Sequence, residues 1–528
     1  MIPVTGFIPR GKISLFAAGL IAFAGPALAG GLDWPAERLL PAFPAPAAMI
    51  DSIDVTHSSG PEQDLFASLE GIVNRMQPRI ACISRRSGED QRAWLKIHQL
   101  PYQMVDGYAA VAKYKSEISG LVVTDPDQAD TLNLATTLAG LNNELICAPE
   151  LLAKLTNPPC NFPIRDDLRG RFADNFAVYE FLRTNCWPRC THRVLAGLGG
   201  HVHGSLRDYL VAVQSAVVWF NPKSHADAAA LTGFVSAMPP VNSIYLGWWP
   251  DESAGLKFVG PFGIPVLASD FFGNGSLFSG VRQTVKVPAR PPAPPLENKI
   301  NHAMIFSDCD NVQYMQHFMK RTWENPARGT VPMGWTVSPV SVDLDPGMLN
   351  FYYQTATTND CLVSGPSGAG YTRLNFWNPG FVPAFTKNSD RYLRRSGIRV
   401  ITVWNKVTDV IASSFGANCP TLLGVTDQDG ADYAAIRGGL LTMGFTGRAS
   451  YADTVSQINN AISAGAKKWK GDAPVFIMVQ ANAWNIGPAD FQAIAAGLDK
   501  DKFVVVRPDH LFMLLKQSLA SSVPPGAR

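Results

Sequence analysis

The sequence lacks an excess of charge of either sign. Its 528 residues carry 45 Lys and Arg against 43 Asp and Glu, a formal net charge of +2. Without Arg10 and Lys12, which lie in an N-terminal segment expected to be removed, the balance is zero. A neutral chain has no electrostatic footprint for nucleic acid or an anionic membrane surface, so neither is expected as a partner. Beyond that segment no apolar run is long enough to cross a bilayer. Several catalytic signatures are also missing: there is no Gly-x-Ser-x-Gly elbow, no phosphate-binding loop and no His-Glu-x-x-His helix. The C-terminal half has only His302, His317 and His510, none spaced as the His-x-x-x-His pair of a metal-dependent polysaccharide deacetylase. No cofactor is implied. Cysteine is sparse, with eight residues. Cys186-Trp-Pro-Arg-Cys190, followed by His192, His201 and His203, fits no common zinc spacing. A disulfide between Cys186 and Cys190, or to Cys160, is the expectation.

What is present begins with a leader. Arg10 and Lys12 precede the apolar run Ile13 to Ala24, then Gly25-Pro26 and the small-residue site Ala27-Leu28-Ala29. This pattern reads as a signal peptide over 1–29, so a mature chain from Gly30 is expected in the periplasm or outside the cell. About 500 residues exceed what one core usually supports. The clearest boundary is Val287 to Leu296, where five prolines in ten residues can continue neither a helix nor a central strand. The expected division is therefore an N-terminal region over 30–286, with room for several subdomains, a proline-rich linker over 287–298, a C-terminal domain over 299–520 and a tail over 521–528.

In the N-terminal region short β-rich runs alternate with helical patterns: Arg79 to Ile83, Leu121 to Thr124, Leu145 to Cys147, His192 to Leu195, Ala216 to Phe220, Ser243 to Leu246 and Ile264 to Leu267. Such alternation predicts α/β layers with largely parallel sheet, and Glu62 to Met76 has the spacing of a packed amphipathic helix. Past the linker come eight apolar runs: Ala303 to Phe306, Val331 to Val337, Cys361 to Val363, Ile398 to Trp404, Leu422 to Val425, Leu440 to Phe445, Val475 to Val479 and Phe503 to Val506. Helical patterns separate most of them. A repeated strand–helix unit of this count predicts a (β/α) barrel-like domain, or a distorted relative lacking one strand. Polar residues fall at the carboxyl ends of the runs, among them Asp308, Asp310, Ser338, Ser364, Asn405, Asp427, Gln480 and Asn482. In barrels that rim carries the chemistry.

Asp308 and Asp310 stand two positions apart, so both carboxylates face one way if the strand continues through them. Such a pair can share a proton, hold a hard cation, or supply one acid or base beside a partner elsewhere; it can also simply cap the next helix. Glycoside hydrolysis generally needs two carboxyl groups. Gly365-Pro-Ser-Gly-Ala-Gly-Tyr371 has the glycines of a loop that bends sharply or approaches a ligand, and it presents Tyr371. Gly247-Trp-Trp-Pro-Asp-Glu252 sets Trp248 and Trp249 beside Asp251 and Glu252, the pairing of aromatic platforms and hydroxyl acceptors that sugars require; adjacent tryptophans also serve as interdomain packing. Asp270 and Asn274 follow the next strand and complete the same rim.

Gly368-Ala-Gly-Tyr371 resembles the signature of the GxGYxYP family, a group of exported bacterial proteins classed as putative glycoside hydrolases. The resemblance extends to Leu69-Glu-Gly-Ile-Val-Asn-Arg75 with Gln77-Pro-Arg-Ile80, Tyr245-Leu-Gly-Trp-Trp-Pro-Asp-Glu252, Ser269-Asp-Phe-Phe-Gly-Asn274, Ser307-Asp-Cys-Asp-Asn311, Gly334-Trp-Thr-Val-Ser-Pro339 and Ala356-Thr-Thr-Asn-Asp360. Two departures stand out: Arg373-Leu374 replaces the family's Tyr-Pro, and Cys309 replaces the glycine of its Ser-Asp-Gly-Asp-Asn segment. The resemblance implies an N-terminal α/β region, a barrel-like C-terminal domain and a carbohydrate ligand. Chemistry at the matched positions makes Asp308 or Asp310 one candidate catalytic carboxylate and Glu252 or Asp360 its partner. The substrate-binding candidates are Trp248, Trp249, Asp251, Asp270, Asn311, Trp335, Gly368, Gly370, Tyr371, Arg373, Gln480 and Asn482, with no metal among them. Arg373 brings an anionic sugar such as a uronic acid into consideration. The expected activity is an exported glycoside hydrolase with an interdomain cleft. The alternatives are a non-catalytic glycan-binding or cell-envelope protein and a hydrolase using a divalent cation on Asp308 and Asp310.

Overall fold

Each of the seven β-rich runs of the N-terminal region forms a parallel strand in the computed structural model, which describes residues 32–86 and 88–521. The expected signal peptide and all of the expected tail except Ser521 lie outside the described residues. The first sheet joins β1 (Ile50–Asp54), β2 (Ile80–Ile83) and β3 (Tyr102–Val105) in the order β2-β1-β3. The second joins β4 (Gly120–Val123), β5 (Glu144–Cys147) and β6 (Ile164–Asp167) as β5-β4-β6. The third joins β7 (Val194–Gly197), β8 (Ala216–Val218), β9 (Ile244–Gly247) and β10 (Val266–Ala268) as β8-β7-β9-β10. All their pairings are parallel.

The helix α1 (Gly60–Met76) links these layers. Ser59 caps it in a reciprocal capping box with Glu62, which satisfies two of the backbone donors a helix start leaves open. Gln77-Pro78 ends it. Its buried Arg75 donates to the carbonyls of Gly140 (2.7 Å), Val211 (2.6 Å) and Ala212 (3.0 Å), so this part of the family-like segment staples neighbouring helices rather than meeting a ligand.

Past the proline-rich stretch all eight expected runs are strands: β11 (Ile300–Ser307), β12 (Met333–Val337), β13 (Asp360–Ser364), β14 (Val400–Val403), β15 (Gly424–Ala431), then β17 (Leu440–Phe445), β18 (Val475–Asn482) and β19 (Phe503–Val505), with the short β16 (Ala434–Arg437) antiparallel to β17. The sheet order is β16-β17-β15-β14-β13-β12-β11-β18. This is not the expected barrel, for two reasons. First, β18 pairs with β11 from Ile300 to Ser307, which leaves β19 only the other edge of β11, at Ile300–His302, below the point where β12 takes over. The eighth strand therefore does not stand between the seventh and the first. Second, no ladder joins β17 to β18. The chain after β17 crosses that seam irregularly, through one bridge between Ala452 and Ala481 and bonds such as Gln480 N to Ala449 O (2.8 Å). The sheet curls without closing.

The intervening helices cover one face of this sheet, while the C-terminal helix (Pro508–Ser521) covers the other. Added Cβ atoms on Gly334 and Gly424, at the amino ends of β12 and β15, would meet Pro508 (2.6 Å) and Phe512 (2.2 Å). Leu511, Phe512, Leu514 and Leu515 form one buried cluster with Ala303, Ile305, Val363, Val400, Met443 and Met478. Because side chains alternate along a strand, the residues two and four positions beyond these contacts share the plugged face. They are Thr336 and Ser338, Thr426 and Gln428, and Gln480 and Asn482. The inner face is thus apolar and plugged at one end and polar at the carboxyl ends of the strands. Phe512→Ala should cost about 3–5 kcal/mol by urea denaturation, whereas Met513→Ala, at an exposed position, should stay within about 0.5 kcal/mol.

Candidate active site

The signature loop is the hinge of the site. Strand β13 ends at Ser364, and Gly365 follows with its N–H on Val337 O (3.1 Å). A Cβ at Gly365 would lie 2.1 Å from Asp310 Cγ, so only glycine lets the loop close over that carboxyl. Gly368 and Gly370 both have positive φ, +115° and +124°. At Gly370 a Cβ would also meet Pro265 at 2.6 Å. The next residue, Tyr371, donates its N–H to Val266 O (2.7 Å) and forms an antiparallel bridge with β10. The buried Ser367 accepts from Trp404 N and donates to Thr372 O, both at 3.0 Å, which fixes Trp404 beside the loop.

This docking sets residues of the N-terminal region against the carboxyl rim of the C-terminal sheet around a cavity of about 530 Å³. Its walls include Trp248, Glu252, Asp270, Asp308, Asn311, Gln313, Tyr371, Trp404, Gln428, Asp429, Tyr451 and Trp484. Tyr371 is sandwiched edge-on between Trp248 (centroids 5.4 Å) and Trp404 (5.0 Å), and its hydroxyl donates to Glu252 Oε1 (3.0 Å). Glu252 is the first residue of a helix (Glu252–Val259), which holds its carboxylate at the helix mouth. Burial raises the Glu252 carboxyl above its usual range; Tyr371 and Arg373 oppose that shift and Asp308 adds to it.

Asp308 and Asp310 do not face the same way. The strand ends at Ser307, and Asp308 takes φ +65°, so strand alternation no longer holds. Asp308 lines the cavity and accepts from the Tyr451 hydroxyl. Burial raises its carboxyl, and Asp453 adds to the shift. Asp310 turns beneath Gly365, is 6% exposed, and leaves Oδ1 without a partner. Burial, then the neighbouring Asp308, pushes it up to about 7.

Several candidates lie elsewhere. Asp360 begins β13 at the amino end, away from the cavity, and its carboxylate is taken by Arg328 (2.5 Å), Trp335 Nε1 (3.0 Å) and Thr357 N (2.8 Å). It is a buried ion-pair anchor, and Trp335, fully buried, is its core partner. Trp249 stacks on Tyr245 at 3.7 Å in the core. Asp251 caps the Glu252 helix through Ala254 N (2.8 Å) and pairs with Lys223 (2.6 Å). Asn274 is bound to β2 through Cys82 N and O. Asn482 bonds Asp453 (2.7 Å) and Trp484 N (2.9 Å), so it shapes the loop that delivers Trp484. Gln480 is fully buried, with neither amide atom partnered. Arg373 is not in the lining; it donates to Ser253 Oγ (2.7 Å) and lies over the Trp404 ring at 3.8 Å. Asp270 and Asn311 do line the cavity, Asp270 with its Oδ1 accepting from Gln313 (2.8 Å).

The expected disulfide is not formed. All eight cysteines are free, and Cys190 Sγ instead donates to Cys186 O (3.3 Å). The histidines near them are engaged singly, His203 with Asp64 (2.6 Å) and His192 against Trp187. Cys309 is fully buried. Among the described residues no group of three or more His, Cys, Asp or Glu side chains is arranged to hold a metal ion. Trp404, Tyr451, Trp484 and Gln313 are site residues that the sequence pattern did not single out. Trp404, which follows β14 directly, and Trp484, two residues beyond β18, had the signal of an aromatic at a strand's carboxyl end; Tyr451 sits on an irregular connection with no such marker.

Family models match three stretches of the chain: the GxGYxYP putative glycoside hydrolase C-terminal domain over 298–516, the GxGYxYP third domain over 192–280 and the GxGYxYP_N second domain over 118–190. The chain belongs to the GxGYxYP family. Its fold is similar to a solved structure described as a putative hydrolase from Bacteroides thetaiotaomicron VPI-5482, with a TM-score of 0.80 and 18% identity over 93% of this chain and 98% of that one. No curated protein matches the sequence. The GxGYxYP signature in this chain is therefore the loop that joins the two regions at the cavity.

The raised Asp310 carboxyl has a measurable consequence. A buried acid whose pKa is higher folded than unfolded holds extra protons in the native state, so its burial costs stability increasingly as pH rises from its unfolded value of about 4. The cost levels off above the folded value of about 7. Asp310→Asn should therefore raise Tm, with a gain that widens from about pH 4 to about pH 7 and is constant above, measured by calorimetry across that range.

Proposed function

We propose that this protein is an exported glycoside hydrolase that cleaves a polysaccharide or oligosaccharide in the cavity between its N-terminal region and its C-terminal sheet. The observation that carries the reading is that Glu252 and Asp308, from the two sides, enter one cavity walled by Trp248, Tyr371, Trp404, Tyr451 and Trp484. Aromatic faces take the apolar face of a sugar ring while carboxylates and amides take its hydroxyls. Two carboxyl groups are the usual requirement for hydrolysing a glycosidic bond.

The two carboxyls differ in their neighbours. Burial raises both, but Asp308 accepts hydrogen bonds, first from Tyr451, that favour its ionised form, and its charge in turn favours the protonated form of Glu252. Environments that push two acids apart assign their roles. Glu252 protonates the departing glycosidic oxygen, and Asp308, ionised, acts on the anomeric carbon directly or through a water. Asp310 is a positioning residue: it packs beneath Gly365 behind Asp308, whose charge, after burial, raises it.

Product release from a broad glycan panel, read by mass spectrometry, tests this. Asp308→Asn and Glu252→Gln should each lose about 10³-fold in kcat while keeping the native Tm, in line with the 10²–10⁴-fold that a positioned acid or base contributes. Tyr371→Phe removes a hydrogen bond that favours the Glu252 carboxylate, so the basic limb of kcat/KM should move to higher pH by up to about one unit. Full activity in both carboxylate variants, or glycan binding with no product from any substrate, would overturn the assignment.

A further inference from the structure

The cavity presents acceptors and negative charge almost without relief. Four of its lining residues are carboxylates, Glu252, Asp270, Asp308 and Asp429, and no Lys or Arg is among the described residues that line it. The nearest cations are held elsewhere. Lys223 pairs with Asp251 (2.6 Å); Arg373 bonds Ser253 and lies on Trp404; Arg86 lies over Phe271 at 3.7 Å, where it and His201 act on Asp270 alone among the four. For Asp308 the charged neighbours are Asp310 and Asp453.

A second observation points the same way. Three lining amides, Asn311, Gln313 and Gln428, leave their carbonyl oxygens buried and without a donor. For two of them the orientation is set by the amide nitrogen, which donates to an oxygen: Gln313 to Asp270 Oδ1 (2.8 Å) and Gln428 to Ser450 O (3.4 Å). Those N–H groups are therefore engaged within the protein, which leaves the cavity few donors to offer an anionic ligand. A ligand that fits must bring hydrogen-bond donors and, to balance the carboxylates, positive charge. An ammonium group offers three donors and no acceptor and is attracted to the faces of Trp and Tyr that wall this cavity. A uronate would instead bring a charge of the same sign as the ionised members of the four.

Resting on the glycoside hydrolase reading, we propose that the glycan taken by this cavity carries an unacylated amino group, as in a de-N-acetylated hexosamine oligosaccharide. The ammonium sits among Asp308, Asp429 and the aromatic faces.

Calorimetric binding to the full chain at pH 7 tests this, using glucosamine and galactosamine oligosaccharides in free-amine and N-acetylated forms, with oligogalacturonate and a neutral glucan of equal length as comparisons. Binding of a free-amine form at least 10-fold tighter than its acetylated counterpart is expected, with the preference shrinking in 0.5 M salt as charges are screened. Asp429→Asn should reduce that preference without changing Tm. Equal or tighter binding of the acetylated, neutral or uronic forms would overturn the inference, as would the absence of binding by any amine form. Product analysis of the same mixtures separates the two proposals. An amine preference without products sustains this inference and defeats the hydrolase reading; hydrolysis of neutral or uronic glycans without amine preference does the reverse.

Discussion

A single backbone contact organises the site: Tyr371 N–H donating to Val266 O at 2.7 Å, where the signature loop lies against an edge strand of the third sheet. Glu252 belongs to the helix after β9 and Asp308 to the turn after β11, and neither region alone would bring them into one cavity. The approach is possible because Gly370 clears Pro265 and Gly365 clears Asp310. The same loop holds Tyr371 between two tryptophans with its hydroxyl on Glu252, so the residue that ties the halves together also hydrogen-bonds a catalytic candidate. A change in loop docking would move both at once.

Below that rim the inner face of the C-terminal sheet is divided by depth. The C-terminal helix plugs the amino ends of the strands with Leu511, Phe512, Leu514 and Leu515, leaving polar groups to gather at the carboxyl ends. Asp310 Oδ1, Thr336 Oγ1, Thr426 Oγ1 and both amide atoms of Gln480 are buried there without partners. Unpartnered buried polar groups cost stability. Their concentration beside the cavity is where a site under functional constraint departs from the rules the rest of the fold obeys.

Much of this was legible in the sequence. The apolar runs marked seven of the strands β1 to β10 and all eight parallel strands of the C-terminal sheet, because each is short, β-rich and bounded by polar or turn residues. β1, β3 and β6 were not legible: β3 and β6 are half-exposed edge strands that carry charge and polarity, as in Ile164-Arg-Asp-Asp167, and β1, though central, interleaves Asp and Ser with its isoleucines. Sheet closure was not legible either. Eight strand–helix units look alike whether the last strand enters the wall or, as in this fold, pairs beside β12 and sends its helix to the inner face. Of the residues singled out in the sequence, Glu252, Asp308, Trp248 and Tyr371 line the cavity. Asp360 and Trp335 failed because a carboxylate near a strand reads the same at either end, and only the register shows which end faces the cavity. Asp308 and Asp310 parted because one left-handed residue ends the alternation their spacing assumed.

The most direct test of the account is a crystal structure of Glu252→Gln with an oligosaccharide bound. The account predicts the sugar against Trp248 and Trp404, with a glycosidic oxygen within hydrogen-bonding distance of position 252 and the adjoining anomeric carbon facing Asp308. A glycan seated away from this cavity, or one lying in it with no glycosidic bond near Asp308, would contradict it.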